Sequence, residues 1–310
     1  MKHSLRFIGL IILSIILLAA CGGKDTAVPQ TETAGTTTDS NSSEGQDERA
    51  DWPEKVRFAV TGIEGLEELQ RQFGPFKELL EDLTEVEFEF FALSDRVISA
   101  TAMEYGQVDM ILAGPSEYAQ IKAAAPDAEP LAALERDQYH TVVIVHEESD
   151  MKEVEDLKGK KVAMKDIGST SGHIGPSSML LEMGLDLDRD VEIMLLGDAR
   201  IDAFKNGDVD ALATGVRDFV KMVEEDGEGK YRILLEGPPL PQDPFVASGE
   251  LPESFRAEFS RILLEHQDEI LGAILVSEDN KKYNKAKIVP ITDADYDLMR
   301  ETYRVLGIEL

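Results

Sequence analysis

The chain is poor in cysteine and in positive charge. Cys21 is the single cysteine among 310 residues, so no intrachain disulfide can form. Only 31 residues are Lys or Arg, against 61 Asp or Glu, which gives a formal net charge of −30. A nucleic-acid surface needs a basic face, so this composition argues against nucleic-acid binding. This excess of acidic residues is typical of a soluble, well-solvated exterior.

Motifs for metals, nucleotides and cofactors are also missing. No histidine stands at zinc-site spacing with a cysteine. No EF-hand calcium loop, no H-E-x-x-H pair and no G-x-x-x-x-G-K-[ST] phosphate loop occurs in the sequence. We therefore expect no metal site and no cofactor.

Long apolar runs are scarce, and the one near the start covers residues 7–20. A bilayer span needs about 20 residues, so this run fits the apolar part of a secretory signal better. The sequence LAACGG at 18–23 resembles the lipobox of bacterial lipoproteins, in which the signal is cut before a cysteine that is then lipidated. We expect a signal peptide over 1–20 and a lipid anchor at Cys21 on the extracytoplasmic side of the cell membrane. An uncleaved N-terminal anchor with an incidental cysteine is the alternative.

Residues 21–52 are rich in Thr, Ser, Gly, Asp and Glu and offer little apolar surface to bury. This composition predicts a disordered tether. The remaining residues, 53–310, are long enough for two domains.

Apolar patterns alternate between strand and helix along the body of the chain. Strands are predicted at 56–62, 85–93 and 108–114, with helices at 66–83, 95–106 and 116–125. A further strand is predicted at 141–149, a second set of strands and helices begins at about 154, and long helical patterns follow at 253–270 and 293–306. This order predicts an α/β protein with mostly parallel sheets.

The segments EYGQVDMILAG (104–114) and KNGDVDALATG (205–215) share one pattern: a helix end, the motif G-x-V-D, an apolar strand and small residues. We therefore predict two lobes, the first discontinuous (53–141 plus 243–310) and the second at 142–242. The hinge is expected near 139–144 and 236–245. A ligand would bind between the lobes, at the carboxyl ends of parallel strands.

The sequence DIGSTSGHIGPSS (166–178) lies at a predicted strand-to-helix junction. A helix N-terminus has unpaired N–H groups and partial positive charge, and the hydroxyls of Ser169, Thr170 and Ser171 add neutral donors. Gly168 and Gly172, on either side of these hydroxyls, allow close approach of the backbone to a ligand. The segment suits a tetrahedral oxyanion. The alternative is that one hydroxyl only caps the helix.

An enzyme is a further alternative. The sequence GSTSG lacks the G-x-S-x-G form of a nucleophile elbow. Neither His173, which is too near in sequence, nor His266, in a predicted surface helix, is well placed as a base. We therefore expect no catalytic residues.

The stretch DLKGKKVAMKDIGSTSG (156–172) resembles the phosphate, phosphite and phosphonate substrate-binding lipoproteins of ABC importers. The sequences GQVDMILAGPSEY, QYHTVVIVHEES, PLPQDPFV and DADYD follow the family pattern in the same order. The resemblance covers most of 55–305. It implies the type II periplasmic-binding fold, with two lobes and a ligand cleft between them.

The resemblance also implies site residues. The oxyanion-binding serine, threonine and serine of the family correspond to Ser169, Thr170 and Ser171. Its hinge tyrosine corresponds to Tyr139. The aspartate of its P-x-D-P motif corresponds to Asp243, which we expect to accept a hydrogen bond from a protonated ligand oxygen or an amine.

Two positions depart from the family. Arg96 stands where the family has a tyrosine, and it could donate to an oxyanion or be solvated. Gly197 and Asp198 stand where the family has a histidine.

The sequence thus predicts the lipid-anchored solute-binding component of an ABC importer, a monomer that delivers a phosphorus oxyanion to permease subunits. A sensory or receptor lipoprotein of the same fold, binding another small solute, is the alternative.

Overall fold

A computed structural model describes residues 49–310. The predicted signal peptide, Cys21 and most of the predicted tether lie outside the described residues. The described chain forms two β-sheets, each flanked by helices. No helix within residues 49–310 has both the length and the apolar character to cross a membrane.

The first sheet has six strands in the order β11-β4-β10-β3-β1-β2. Its strands are β1 (Lys55–Val60), β2 (Glu87–Phe90), β3 (Met110–Leu112), β4 (Glu129–Leu134), β10 (Asp243–Ala247) and β11 (Ile288–Val289). Strand β10 lies inside this sheet and is buried along its whole length. The C-terminal part of the chain therefore returns to the sheet that the N-terminal part begins.

Six helices accompany this sheet: α1 (Leu66–Thr84), α2 (Ile98–Glu104), α3 (Pro115–Ala124), α7 (Glu253–Glu265), α8 (Gln267–Ile274) and α9 (Asp297–Val305). In α1 the buried residues include Leu69, Phe73, Phe76 and Leu80, which lie on one face at helical spacing. They pack with β1 and β10 side chains such as Phe58 into a single apolar core.

The second sheet has five strands in the order β7-β6-β8-β5-β9. Its strands are β5 (His140–His146), β6 (Lys161–Met164), β7 (Glu192–Leu195), β8 (Ala211–Gly215) and β9 (Tyr231–Pro239). Its helices are α4 (Gly175–Glu182), α5 (Arg200–Lys205) and α6 (Val216–Asp226). Apolar clusters cover both faces of the sheet, as expected when helices flank it on both sides.

The two-lobed α/β fold is confirmed, but the sheets are mixed instead of mostly parallel. Strands β1, β2 and β3 pair in parallel, as do β6, β7 and β8. Strands β4, β10 and β11 pair antiparallel, and β5 runs antiparallel to β8 and β9. Four of the antiparallel strands, β4, β5, β9 and β10, flank the two connections between the sheets. The fifth, β11, adds to the edge of the first sheet beside β4.

Two local predictions were wrong. The helix predicted at 95–106 begins at Ile98, whose N–H donates to the Asp95 carboxylate at 3.0 Å. The helical run predicted at 253–270 is divided at His266. Strand β9 ends in two prolines and lies on the edge of its sheet, where a missing N–H is tolerated.

The chain passes between the sheets through residues 135–139 and 240–242, close to the predicted hinge segments. Two hydrogen bonds join these connections: the Leu240 N–H donates to the Tyr139 carbonyl at 2.8 Å, and the Arg136 N–H donates to the Gln242 side chain at 2.6 Å. The predicted domain boundaries at 141 and 243 remain predictions.

Candidate functional site

A cavity of about 920 Å³ opens between the two lobes. The carboxyl ends of β1, β3, β6 and β8 reach it, and so do both connections between the sheets. Its lining contains nine Lys or Arg residues and seven Asp or Glu residues. The chain as a whole carries almost twice as many acids as bases, so positive charge is concentrated in this cleft.

The hydroxyl segment lies where β6 ends. Ser169 precedes a π-helical turn over Thr170–Ile174, and α4 follows directly with Pro176 in its first turn. π-Helical turns are rare and are found frequently at functional sites. Ser169 is in the N-cap position, yet its side chain makes no capping hydrogen bond. The capping alternative therefore does not account for this hydroxyl, and Ser169, Thr170, Ser171 and Gly172 all line the cavity.

Two glycines shape this segment. Gly168 has a φ of +85°, in the left-handed region that other residues rarely adopt. A Cβ on Gly172 would lie 2.6 Å from the Lys165 Cβ. Gly172 thus allows the hydroxyl segment to approach the end of β6, a different reason from the predicted close approach to a ligand.

Thr170 connects the two lobes. Its Oγ1 accepts a hydrogen bond from the Ser116 N–H at 3.1 Å and lies 2.7 Å from the Ser116 Oγ. The Ser116 hydroxyl also donates to the Gly168 carbonyl at 2.8 Å. Ser116 lies in the first turn of α3 in the first lobe, so the hydroxyl segment of the second lobe is held against that helix.

Arg96 also bridges the lobes. Its Nη1 donates to the Glu117 carboxylate at 2.9 Å, and its Nε donates to Asp166 of the second lobe. Burial disfavours the charged guanidinium, but the two carboxylates outweigh this cost and raise the pKa of Arg96. Of the two alternatives for Arg96, the solvated side chain does not hold, because Arg96 is paired and largely buried. Arg96 lines the cavity, and its role as an oxyanion donor remains a prediction.

Lys165 and Arg200 add cations beside the hydroxyl segment. Lys165 directly follows β6, and burial, with the nearby Arg96 and Arg200 charges, lowers its pKa. Arg200 is buried and donates to Asp218 at 2.6 Å. Asp198 lies 3.7 Å from the Lys165 Nζ and 3.4 Å from the Arg200 Nη1. The carboxylate that replaces the family's histidine thus faces two of the protein's own cations.

The hinge side of the cavity holds Tyr139 and Arg136. The Arg136 guanidinium lies 3.6 Å from the centre of the Tyr139 ring, a cation–π contact. Burial raises the pKa of Tyr139 to about 12, so its hydroxyl stays protonated at neutral pH. Tyr139 lies at the end of one connection between the sheets and lines the cavity, and its part in ligand binding remains a prediction.

Asp243 is 3% exposed and begins β10 at the same end of the cavity. Its Oδ2 accepts a hydrogen bond from the Tyr283 hydroxyl at 2.7 Å. Arg136 lies 3.5 Å from its Oδ1, and the Lys282 Nζ lies 3.7 Å from its Oδ2. A carboxylate has about four lone-pair positions, so Asp243 can still accept from a ligand.

Sequence reasoning did not predict four of these cleft residues: Lys165, Arg200, Arg136 and Lys282. Lys165 carried a usable signal, because it directly follows a predicted strand whose carboxyl end was placed at the cleft. Arg136 was missed because β4, which it follows, was not assigned. Lys282 belongs to a short 3₁₀ turn far along the chain, and only the local sequence KKYNK marks it.

Known proteins are similar to this chain in sequence and in fold. A family model described as the phosphonate periplasmic substrate-binding protein of ABC transporters matches residues 58–296. The phosphate-import protein PhnD of Mycolicibacterium smegmatis is 27% identical, with 95% of this chain and 94% of that protein covered.

Two solved structures share the fold. PhnD1 from Prochlorococcus marinus in complex with methylphosphonate has a TM-score of 0.64 at 17% identity, covering 82% of this chain and 98% of that one. XAC2383 from Xanthomonas citri bound to ATP has a TM-score of 0.67 at 16% identity, with the same coverage.

The fold and cleft define a two-lobed solute-binding protein. Since the family model spans most of the chain, the chain belongs to the phosphonate periplasmic substrate-binding proteins of ABC transporters. The expected family and fold are confirmed. This family is a class of extracytoplasmic binding proteins and not a class of enzymes.

Proposed function

We propose that the protein binds a phosphorus oxyanion in the interlobe cleft and delivers it, as a lipid-anchored monomer, to the permease of an ABC importer. Phosphonate, phosphite and phosphate form the candidate ligand class. The PhnD relative is named for phosphate import, and the Prochlorococcus structure contains methylphosphonate. The XAC2383 structure, which has a similar fold, contains ATP. The fold therefore does not define the ligand, and the ligand of this chain depends on its own cleft residues.

The observation that carries the proposal is the hydroxyl segment at the end of β6. The first N–H groups of a helical segment have no partner within it. In the turn Thr170–Ile174 the first residues, Thr170, Ser171 and Gly172, line the cavity together with Lys165 and Arg200. Backbone donors, hydroxyls and cations thus surround one end of the cleft. Such donors suit a compact, multiply charged oxyanion.

A thermal-shift panel tests the proposal. Phosphate, phosphite and methylphosphonate are added to the purified protein, with chloride at equal ionic strength as the control. A ligand that binds only the native state stabilises it by RT ln(1 + [L]/Kd), about 2.7 kcal/mol at 100 times Kd. We expect at least one phosphorus oxyanion to raise Tm in a saturable way. No rise with any of the three would refute the proposed ligand class.

The anchor gives a prediction at Cys21, which lies outside the described residues. Cys21→Ser removes the thiol that would carry the lipid. We expect the variant to leave the membrane fraction or to keep its signal peptide, as measured by fractionation and metabolic lipid labelling. A variant that is still labelled and membrane-bound would show that the lipobox assignment is wrong.

Asp243 gives a prediction about selectivity. A buried carboxylate accepts from a protonated phosphate oxygen and repels sulfate, which has no proton to donate at neutral pH. A hydrogen bond to a charged partner contributes about 1.5–3 kcal/mol. We therefore expect Asp243→Asn to bring the affinities for phosphate and sulfate closer by about ten- to hundredfold, as measured by calorimetry. An unchanged ratio in a stable variant would remove Asp243 from the ligand site.

A further inference from the structure

Arg96 is fixed within the first lobe before it reaches the second. Its Nη1 donates at 2.9 Å to the carboxylate of Glu117, which is 1% exposed. Any side chain at Gly62 would collide with the guanidinium, so a glycine there leaves the room that Arg96 needs. These two contacts belong to the first lobe alone. They therefore hold the guanidinium in place whether or not the second lobe is close.

The second lobe supplies the other partner of Arg96. Asp166 lies just beyond the end of β6, and its Oδ2 accepts a hydrogen bond from the Arg96 Nε. The two backbones also come close, since a Cβ on Gly168 would lie 3.5 Å from the Arg96 Cβ and from the Val97 Cγ2. In the described part of the chain, Asp166 does not line the cavity. This carboxylate therefore joins the lobes from outside the ligand cavity.

A second bridge joins the lobes at the other edge of the first sheet. The Nη1 of Arg217, in α6 of the second lobe, donates to the Lys281 carbonyl of the first lobe at 2.9 Å. Arg96 follows β2 and Lys281 precedes β11, and these are the two edge strands of the six-stranded sheet. Separation of the lobes about their two connections breaks both bridges.

The bridge between Arg96 and Asp166 consists of protein groups alone. Burial raises the pKa of Asp166, but the charge and hydrogen bond of Arg96 outweigh burial and lower it, so the carboxylate is charged at neutral pH. The Arg96 side chain is 14% exposed and that of Asp166 is 35% exposed, so water screens the pair only in part. A hydrogen bond between charged partners of this kind shifts an equilibrium by about tenfold or more.

We propose that Asp166 is a positioning residue that acts through Arg96: the pair holds the lobes closed in the free protein as well as in the complex, so that opening of the cleft limits both entry and release of the ligand. Because the bridge stabilises the closed form equally with and without ligand, it slows both steps and leaves the dissociation constant almost unchanged. The inference rests on the proposed function only for the ligand that is exchanged.

Rates of ligand exchange test the bridge. In stopped-flow titrations of the full-length protein with methylphosphonate, Asp166→Asn should raise the association and dissociation rate constants by about tenfold each and keep Kd within about threefold. Loss of a negative charge near an anionic ligand would by itself slow release, so faster release identifies the bridge. Unchanged rates or slower release would overturn the proposal. Faster release with unchanged association would also overturn it, because the free protein would then be open already.

Asp226→Asn is the matched control. Asp226 pairs with Lys205 at 2.7 Å, and its side chain is 26% exposed. Both residues belong to the second lobe, and in the described part of the chain neither lines the cavity. The change removes the same charge without breaking a bridge between the lobes, so both rate constants should stay within about twofold of wild type. An equal acceleration in Asp226→Asn would refute the specific role of Asp166.

Small-angle X-ray scattering of the ligand-free proteins separates this inference from the proposed function. Asp166→Asn should have a larger radius of gyration than wild type and Asp226→Asn, because its lobes spend more time apart. An unchanged radius would overturn the closing role of Asp166, whatever the ligand. If methylphosphonate, phosphate and phosphite all fail to bind while the radius increases as expected, the proposed function is wrong and the closing role stands.

Discussion

Ser169→Ala and Ser171→Ala should each weaken binding of the best phosphorus ligand by about ten- to hundredfold. Each change removes one hydroxyl donor to a charged ligand, an interaction of about 1.5–3 kcal/mol. The backbone N–H groups and the cleft cations remain, so binding should weaken without being abolished. Calorimetric titration and thermal unfolding of each variant measure the two effects separately.

Thr170→Val is expected to behave differently from the two serine variants. The Thr170 hydroxyl already bonds to Ser116 in the other lobe. Its loss should therefore lower stability as well as affinity. A capping role would predict a loss of about 1 kcal/mol of stability and no change in affinity for any of these variants. If all three variants bind the ligand with wild-type affinity, the hydroxyl segment only starts a helix and does not bind the ligand.

Arg96→Met should lower the free energy of unfolding by about 3–5 kcal/mol, the effect of removing one partner from a buried ion pair. Glu117 is 1% exposed, and Arg96 is its cationic partner at 2.9 Å. The same change removes the Arg96 contact to Asp166 across the lobes. Urea unfolding of wild type and variant measures the loss.

Two controls separate this effect from a general loss of arginine. Arg71→Met breaks surface pairs with Glu68 and Asp279, which should cost no more than about 1 kcal/mol. Adding Glu117→Gln to Arg96→Met removes the uncompensated buried charge and should recover most of the lost stability. If Arg96→Met is as mild as Arg71→Met, the bridge does not hold the lobes as described.

Much of the fold follows from local sequence patterns. The spacing of Leu69, Phe73, Phe76 and Leu80 predicted α1, and continuous apolar runs predicted the central strands. Sheet direction did not follow, because a buried apolar strand such as β10 has the same composition whichever way it runs. Strand β4 was missed because EPLAAL contains no β-branched residue, and only its pairing with β10 and β11 defines it as a strand.

The candidate site was likewise predicted only in part from the sequence. The hydroxyl segment could be predicted since glycines, hydroxyls and a strand end are adjacent in sequence. The meeting of Arg136, Asp243 and Lys282 could not be predicted, because these residues come from three distant parts of the chain. The sequence predicted the neutral hydroxyl donors but not the cations around them. Folding gathers nine of the 31 basic residues into the cleft, against seven of the 61 acids, and such a local excess of positive charge attracts anions.

A crystal structure of the protein grown with methylphosphonate would test the proposed binding site directly. We expect one phosphonate group in the interlobe cleft, with its oxygens within about 2.5–3.2 Å of the Ser169 and Ser171 hydroxyls and of the N–H groups at the start of the Thr170–Ile174 turn. A saturated complex whose phosphonate lies away from this segment would contradict it.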